Sequence, residues 1–150
     1  MTTMSRAPGP LSFPAVRAGA TYFALVFGAG FAFGLIRVPF LVPRLGERVA
    51  ELLETPLMLV VIYFASRYVV RRFALTSSAR LAVAVGMLAL VLLLTAEFLL
   101  AAALQGRSIV AYISGRDPIS GTVYLASVVL YAVMPWLQTR GTIVSTRHDA

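Results

Sequence analysis

The sequence contains no cysteine, no lysine and no asparagine, and its single histidine, His148, sits in a polar tail. Without cysteine there is no disulfide framework, no thiolate metal site and no cysteine nucleophile. With one histidine, neither an intramembrane zinc site nor a haem held by two histidines of this chain is expected, so the chain is read as having no metal and no cofactor. No GxSxG, HExxH or glycine-rich phosphate loop is present. Charge is scarce too: 13% of 150 residues are charged against 59% hydrophobic, with a mean hydropathy of +0.87, values that exclude an ordinary soluble domain. All 13 basic residues are arginine. That usage fits a GC-rich coding sequence as well as selection for guanidinium chemistry. The net charge of +7 raises the question of nucleic acid. The arginines, however, stand at the ends of apolar runs and form no basic face, so membrane-surface electrostatics explains them and no nucleic-acid partner is expected.

What is present is a series of long uncharged runs. The pattern predicts one all-α membrane domain over 1–150: an integral bundle of four transmembrane helices with short interfacial helices on the outer side. The spans are expected at about 17–37, 49–73, 80–104 and 118–138, between a mobile N-terminal tail (1–14) and a polar C-terminal tail (140–150). The run from Ala18 to Ile36 lies between Arg17 and Arg37 and is long enough to cross a hydrocarbon core at about 1.5 Å per residue. A cleavable signal peptide competes with that reading, but the run exceeds the roughly 7–15 residues of a signal core and has no clean small-residue cleavage site. Ala20, Ala24, Gly28 and Ala32 recur at every fourth position, and Gly30 with Gly34 forms a GxxxG. Such a stripe predicts close helix packing, either against a neighbouring helix of this chain or as a homo-oligomer or partner seam.

Pro39 and Pro43 are expected to stop the first helix and leave Val38 to Val42 as a connection. From Leu45 the pattern turns amphipathic, with Leu45, Val49, Leu52 and Leu53 on one side and Arg44, Glu47, Arg48, Glu51 and Glu54 largely on the other. Arg44 with Glu47 and Arg48 with Glu51 have the i,i+3 spacing of helix ion pairs. Two geometries fit the stretch from Glu47 to Arg67. Either an interfacial helix ends near Glu54 and a span begins with Thr55 as N-cap and Pro56 in its first turn, or one long helix runs through Pro56 and carries its acids below the membrane surface. One of Thr76, Ser77 and Ser78 is expected to cap the third span. Ser108 to Ile113 reads as a short interfacial turn, and Asp117 followed by Pro118 as the N-cap and first turn of the fourth span.

Arginine bias gives the topology. Arg6, Arg17, Arg67, Arg71, Arg72, Arg80, Arg140 and Arg147 fall on one side, which should be cytoplasmic together with both termini. Arg67, Arg71, Arg72 and Arg80 are candidate contacts for anionic lipid, with plain positive-inside anchoring as the alternative. On the other side, helix rise places Glu54 roughly 20 Å and Glu51 and Glu97 roughly 24–26 Å above the inner boundary. Tyr124 and Thr122 enter that layer from the fourth span, and Arg37 from the first. Arg37, Glu51, Glu54, Glu97 and Tyr124 therefore form a candidate intramembrane polar cluster. An acid deep in an apolar run, as Glu97 is, is a functional candidate by default.

The stretches RLGERVAELLETPLM (Arg44 to Met58) and GRDPISGTVY (Gly115 to Tyr124) resemble segments of small four-span bacterial inner-membrane proteins. The resemblance implies four spans and no particular activity. Size and span number are also similar to those of small multidrug transporters, whose key acid lies in the first span; this first span has none. Fluoride channels of similar size rely on asparagine, which is missing here. The leading expectation is a non-enzymatic structural or accessory component of the bacterial cytoplasmic membrane, with the lipid bilayer as its surroundings and carboxylate–arginine pairs fixing helix register. A small transporter or proton-coupled module using the glutamates, and a membrane-embedded lipid-modifying enzyme, are the alternatives.

Overall fold

A computed structural model describes residues 12–105 and 118–145. The chain is helical, with four helices long and apolar enough to cross a membrane and no strand among the described residues. Helix α1 spans Phe13–Ile36. It starts ahead of the expected Arg17 because Pro14 fits the first turn, where its missing N–H has no intrahelical partner to lose. The chain then stays helical through a π-helical segment, Arg37–Leu41, into α2, Val42–Leu45. The expected connection at Val38 to Val42 is therefore corrected. Widening the turn lets the Val42 N–H reach the Arg37 carbonyl, five residues back, so the ladder continues past the donor that Pro39 lacks. The break comes at Gly46, whose φ of 78° lies in a region that favours glycine.

Helix α3 is continuous from Glu47 to Arg72, with Pro56 in its interior; of the two geometries that fit the sequence, this is the single long helix. Ala74, at φ 50°, and a 3-10 turn at Leu75–Ser77 lead to α4, Ala79–Gln105. Ser78 caps α4, its Oγ accepting from the Leu81 N–H at 3.4 Å. Helix α5 spans Pro118–Ser145, so the segment expected as a polar tail from Arg140 begins as helix. The expectations for the first eleven residues, the turn at Ser108 to Ile113 and the cap at Asp117 lie outside the described residues.

Gly46 folds α1 and α3 into an antiparallel hairpin. In space α1 packs on α3 and α4, and α5 packs on α3 and α4, which gives a four-cornered bundle. One end carries Arg17, Arg67, Arg71, Arg72, Arg80 and Arg140, with no acid among the described residues there; the other, the hairpin end, carries Glu47, Glu51, Glu54 and, further in, Glu97. The buried core lies mostly toward the basic end: Ala15, Ala18, Tyr22 and Val26 from α1, Ile62 to Val70 from α3, Leu81 to Leu93 from α4, and Tyr131 from α5. Small residues close that half. A Cβ on Gly86 would fall 2.0 Å from the Ala132 carbonyl oxygen, so α4 and α5 are seated at a distance only glycine permits, while one on Gly19 would fall 2.8 Å from a terminal methyl of the Leu88 side chain, which would have to shift.

The four-residue stripe of α1 does not take part in that packing. Ala20, Ala24, Gly28 and Ala32 are all exposed, and nothing lies within 4 Å of a Cβ built on Gly28. Intramolecular packing of that face is thus corrected: the face of α1 that meets its neighbours is Ala15, Ala18, Gly19, Tyr22 and Val26, where Tyr22 demands the larger buried contact.

Candidate functional site

The hairpin brings the polar cluster together. Arg37 precedes Gly46 by about as many residues as Glu54 follows it, so an antiparallel pair must set them side by side. The Arg37 Nη1 lies 3.2 Å from the Glu54 carboxylate and 3.8 Å from that of Glu51. Glu51 and Glu54 share a face of α3 through their i,i+3 spacing. The side chains keep only 28% (Arg37), 24% (Glu51) and 16% (Glu54) of their exposure, so screening by water is weak. The attraction is not accompanied by hydrogen-bond alignment: Arg37 Nε and Glu54 Oε2 are buried and form no hydrogen bond.

The expected pairing of Arg44 with Glu47 gives way to this arrangement. Gly46 interrupts the helix between them, and the Arg44 guanidinium instead donates to the Phe40 carbonyl at 2.9 Å. Glu51 reaches across the hairpin to Arg37. Glu51 and Glu54 therefore face the bundle, while Val49, Leu53 and Leu57 are exposed, the inside-out pattern suited to lipid.

On the opposite wall Tyr124 of α5 donates its hydroxyl to the Glu97 carboxylate of α4. Thr122, expected at the same level, is exposed and donates to the Pro118 carbonyl of its own helix, so it does not join the cluster. Two polar links thus tie the helices in pairs, α1 to α3 and α4 to α5.

Between the links is a cavity of about 660 Å³, partly open to the surroundings and walled by all four long helices. All five cluster residues line it, together with Thr55 and Ser127. Its remaining surface is apolar, from Phe27, Phe31, Met58, Leu93 and Leu100 among others. Gly30 and Gly34 of the GxxxG line it as well; a Cβ on Gly30 would meet the Met58 methyl at 3.4 Å, and one on Gly34 would meet nothing.

The floor was not foreseen from the sequence. Val26, Ile62 and Tyr131 are buried there, and Tyr131 stacks on Tyr22 with ring centroids 4.6 Å apart. The Tyr22 hydroxyl donates to the Tyr131 backbone carbonyl at 3.0 Å. The Tyr131 hydroxyl itself is buried with no hydrogen-bond partner. A tyrosine inside each of two apolar runs was the signal available, because a buried phenol needs a partner.

At the basic end, Phe64, Arg67, Tyr68, Arg71 and Arg72 surround an open hollow of about 460 Å³. Arg67 donates to the Tyr63 hydroxyl at 3.3 Å, while the Arg72 guanidinium sits 5.9 Å from the Phe73 ring centre. Arg80, the fourth member of the expected lipid contact, lies outside this hollow. Arg140 stacks 3.8 Å over Trp136, a pairing of guanidinium and indole suited to a headgroup boundary. Among the described residues no group of three or more His, Cys, Asp and Glu could hold a metal ion. No protein-family model, curated protein or solved structure matches this chain.

Proposed function

We propose that the protein is a non-enzymatic, multi-pass component of a bacterial inner membrane that holds an amphiphilic molecule in the cavity between its four helices. The basic end faces the cytoplasm with both termini, as the arginine bias favours, and the cavity then lies in the outer half of the bilayer. One observation carries this reading: about 660 Å³ of space, largely apolar, with converging polar groups at one level. That volume falls in the range of small-molecule sites, and the division of polar and apolar surface fits a ligand with a head and a hydrophobic body. The Arg37–Glu51–Glu54 and Glu97–Tyr124 links hold the four walls at the spacing the cavity needs.

The test uses a fluorophore inside the cavity. Met58→Trp on a Trp136→Phe background leaves one tryptophan, on the cavity wall. A brominated single-chain amphiphile titrated into protein in nanodiscs should quench it saturably. Adding Ser127→Phe should remove the saturable component, because the ring fills the cavity; the Ser127 hydroxyl bonds only to the Val123 carbonyl of its own helix, so no link between helices is lost. Linear quenching, identical with and without Ser127→Phe, would refute the site.

A second reading, a structural or accessory component whose polar links act purely as a helix lock, is favoured by the fact that both links join different helices. The outward small-residue face of α1 leaves room in that reading for a second copy or a membrane-protein partner. It predicts altered thermal stability in detergent for Glu97→Gln and no saturable ligand.

A further inference from the structure

We infer that the outward face of α3 at the basic end is a discrete site for one anionic phospholipid, its phosphodiester held by Arg67, Arg71 and Arg72 and an acyl chain laid along the helix above them. The site is separate from the cavity and lies toward the opposite end of the bundle.

Helix geometry sets its layout. At about 100° per residue, Phe64 and Arg71 stand nearly one above the other, and Arg67, Tyr68 and Arg72 fall on either side of that line within an arc of about 140°. The buried residues of this stretch, Ile62, Ala65, Ser66, Val69 and Val70, occupy the other side. The three guanidiniums therefore gather around one open hollow of about 460 Å³, away from the packed core. No acid among the described residues stands at this end. The contacts that Arg67 and Arg72 make, to the Tyr63 hydroxyl and the Phe73 ring, are with neutral groups and leave their charge uncancelled. A phosphodiester answers that arrangement, because it accepts paired, charge-assisted hydrogen bonds from planar guanidinium donors.

The second observation is the apolar track above the arginines. Leu53, Leu57, Val60 and Phe64 follow the three- and four-residue spacing of one helix stripe, and each is at least 50% exposed. The stripe runs for about 16 Å along the axis and leads down to Arg71. One face thus carries a hydrocarbon-facing path that ends in a cluster of cations, which is the outline of a phospholipid. A soluble phosphate would use the cations alone, and an acidic protein segment would have no use for the stripe. Arg17 and Arg140, at the same end, are placed differently: each lies against an aromatic ring of its own helix, 5.7 and 3.8 Å from the ring centre, and neither lines the hollow.

Native mass spectrometry of the full chain in detergent, titrated with phosphatidylglycerol or phosphatidylcholine of the same acyl chains, counts bound lipids and gives their affinities. The first phosphatidylglycerol should bind about tenfold or more tightly than the first phosphatidylcholine. Arg67→Gln/Arg71→Gln should bring that ratio close to one, while Arg17→Gln/Arg140→Gln, which removes the same charge from the same end, should leave it unchanged. Circular dichroism melts establish that each variant is folded, and Arg71→Gln alone is the second variant, which should narrow the ratio by itself. Phe64→Ala should weaken both lipids and keep their ratio. Equal affinity for the two lipids in the unmodified protein, or the same loss of preference in both double variants, overturns the site and leaves only diffuse attraction to a basic end. Displacement of phosphatidylglycerol by millimolar inorganic phosphate overturns the assignment to a lipid. Unchanged affinities in Phe64→Ala overturn the acyl track.

Discussion

The Arg37–Glu54 pair can be weighed before it is cut. With an effective dielectric near 20, unit charges at 3.2 Å attract by about 5 kcal/mol and at 3.8 Å by about 4 kcal/mol. Removing the same groups from water costs several kcal/mol per ion, which offsets most of that attraction. The absent hydrogen-bond alignment at Arg37 Nε and Glu54 Oε2 lowers the net further. A coupling of about 1–2 kcal/mol between Arg37 and Glu54 is what remains, inside the range for residues in one network. Sharing of the guanidinium makes the variants unequal. Arg37→Gln takes the shared counter-charge from two neighbouring carboxylates in a layer that is mostly protein, and should lose about 2–3 kcal/mol. That falls below the loss for a fully buried pair, because each side chain keeps some exposure. Glu54→Gln should cost about 1–2 kcal/mol and Glu51→Gln less than about 1 kcal/mol, since Glu51 is the more distant and the more exposed. The Glu51→Gln/Glu54→Gln double variant should exceed the sum of the singles, because either acid can hold Arg37 once the other is gone. Reversible unfolding in mixed micelles, read by circular dichroism across the full double-mutant cycle, supplies the numbers. Additive effects, with a coupling below about 0.3 kcal/mol, would show that the hairpin register does not depend on this contact.

Glycine substitutions should separate the closed half of the bundle from the open half: Gly86→Ala forces α4 away from the Ala132 carbonyl and should cost about 1–3 kcal/mol or more, while Gly34→Ala, with open space around its Cβ, should be neutral or slightly stabilising in the same unfolding assay. Tyr124→Phe removes the phenol donated to Glu97 and should cost about 1.5–3 kcal/mol, the range for a hydrogen bond to a charged group; an unchanged melt would remove that link from the account. With no native cysteine, Ser77→Cys should react with an impermeant maleimide only after the membrane is permeabilised, and Arg44→Cys without it. The reverse pattern would invert the topology.

Four helices were legible because uncharged runs of membrane length leave a chain few other options. The meeting of Arg37, Glu51, Glu54, Glu97 and Tyr124 at one cavity was legible for a related reason: helix rise converts position in a span to depth, and depth is the coordinate that polar residues in a membrane must share. Azimuth was harder. The stripe at Ala20, Ala24, Gly28 and Ala32 has the spacing of a packing face, yet it points outward; spacing alone does not say which of a helix's faces meets its neighbours. Pro39 and Pro43 were read as terminators because a proline removes one donor from an α ladder, and a shift to five-residue hydrogen bonding circumvents that without leaving a mark in the sequence. The pairing of Arg44 with Glu47 failed because a continuous helix was the frame, whereas the glycine break removed that geometry. The same break, by folding the chain back, offered Arg37 to Glu51 and Glu54. The cavity was not legible at all, since empty volume depends on how four helices lean together.

The two halves of the bundle follow from where the small and charged residues lie. Toward the basic end, Gly19, Gly86 and a series of alanines let the helices approach closely, at Gly86 until the Ala132 carbonyl oxygen stands where a Cβ would be, and dispersion contact over that length holds helices together where lipid offers no hydrophobic driving force between them. Toward the hairpin end the same approach is barred. Closing α3 on α4 there would bring the Glu51 and Glu54 carboxylates toward Glu97, and the like-charge repulsion and desolvation would outweigh the dispersion attraction of tighter packing. Gly34 lines the cavity and a Cβ built on it would meet nothing, while Phe27 and Phe31 of the same helix also form its wall. The acids at this level are least costly when kept apart and near water or a counter-ion.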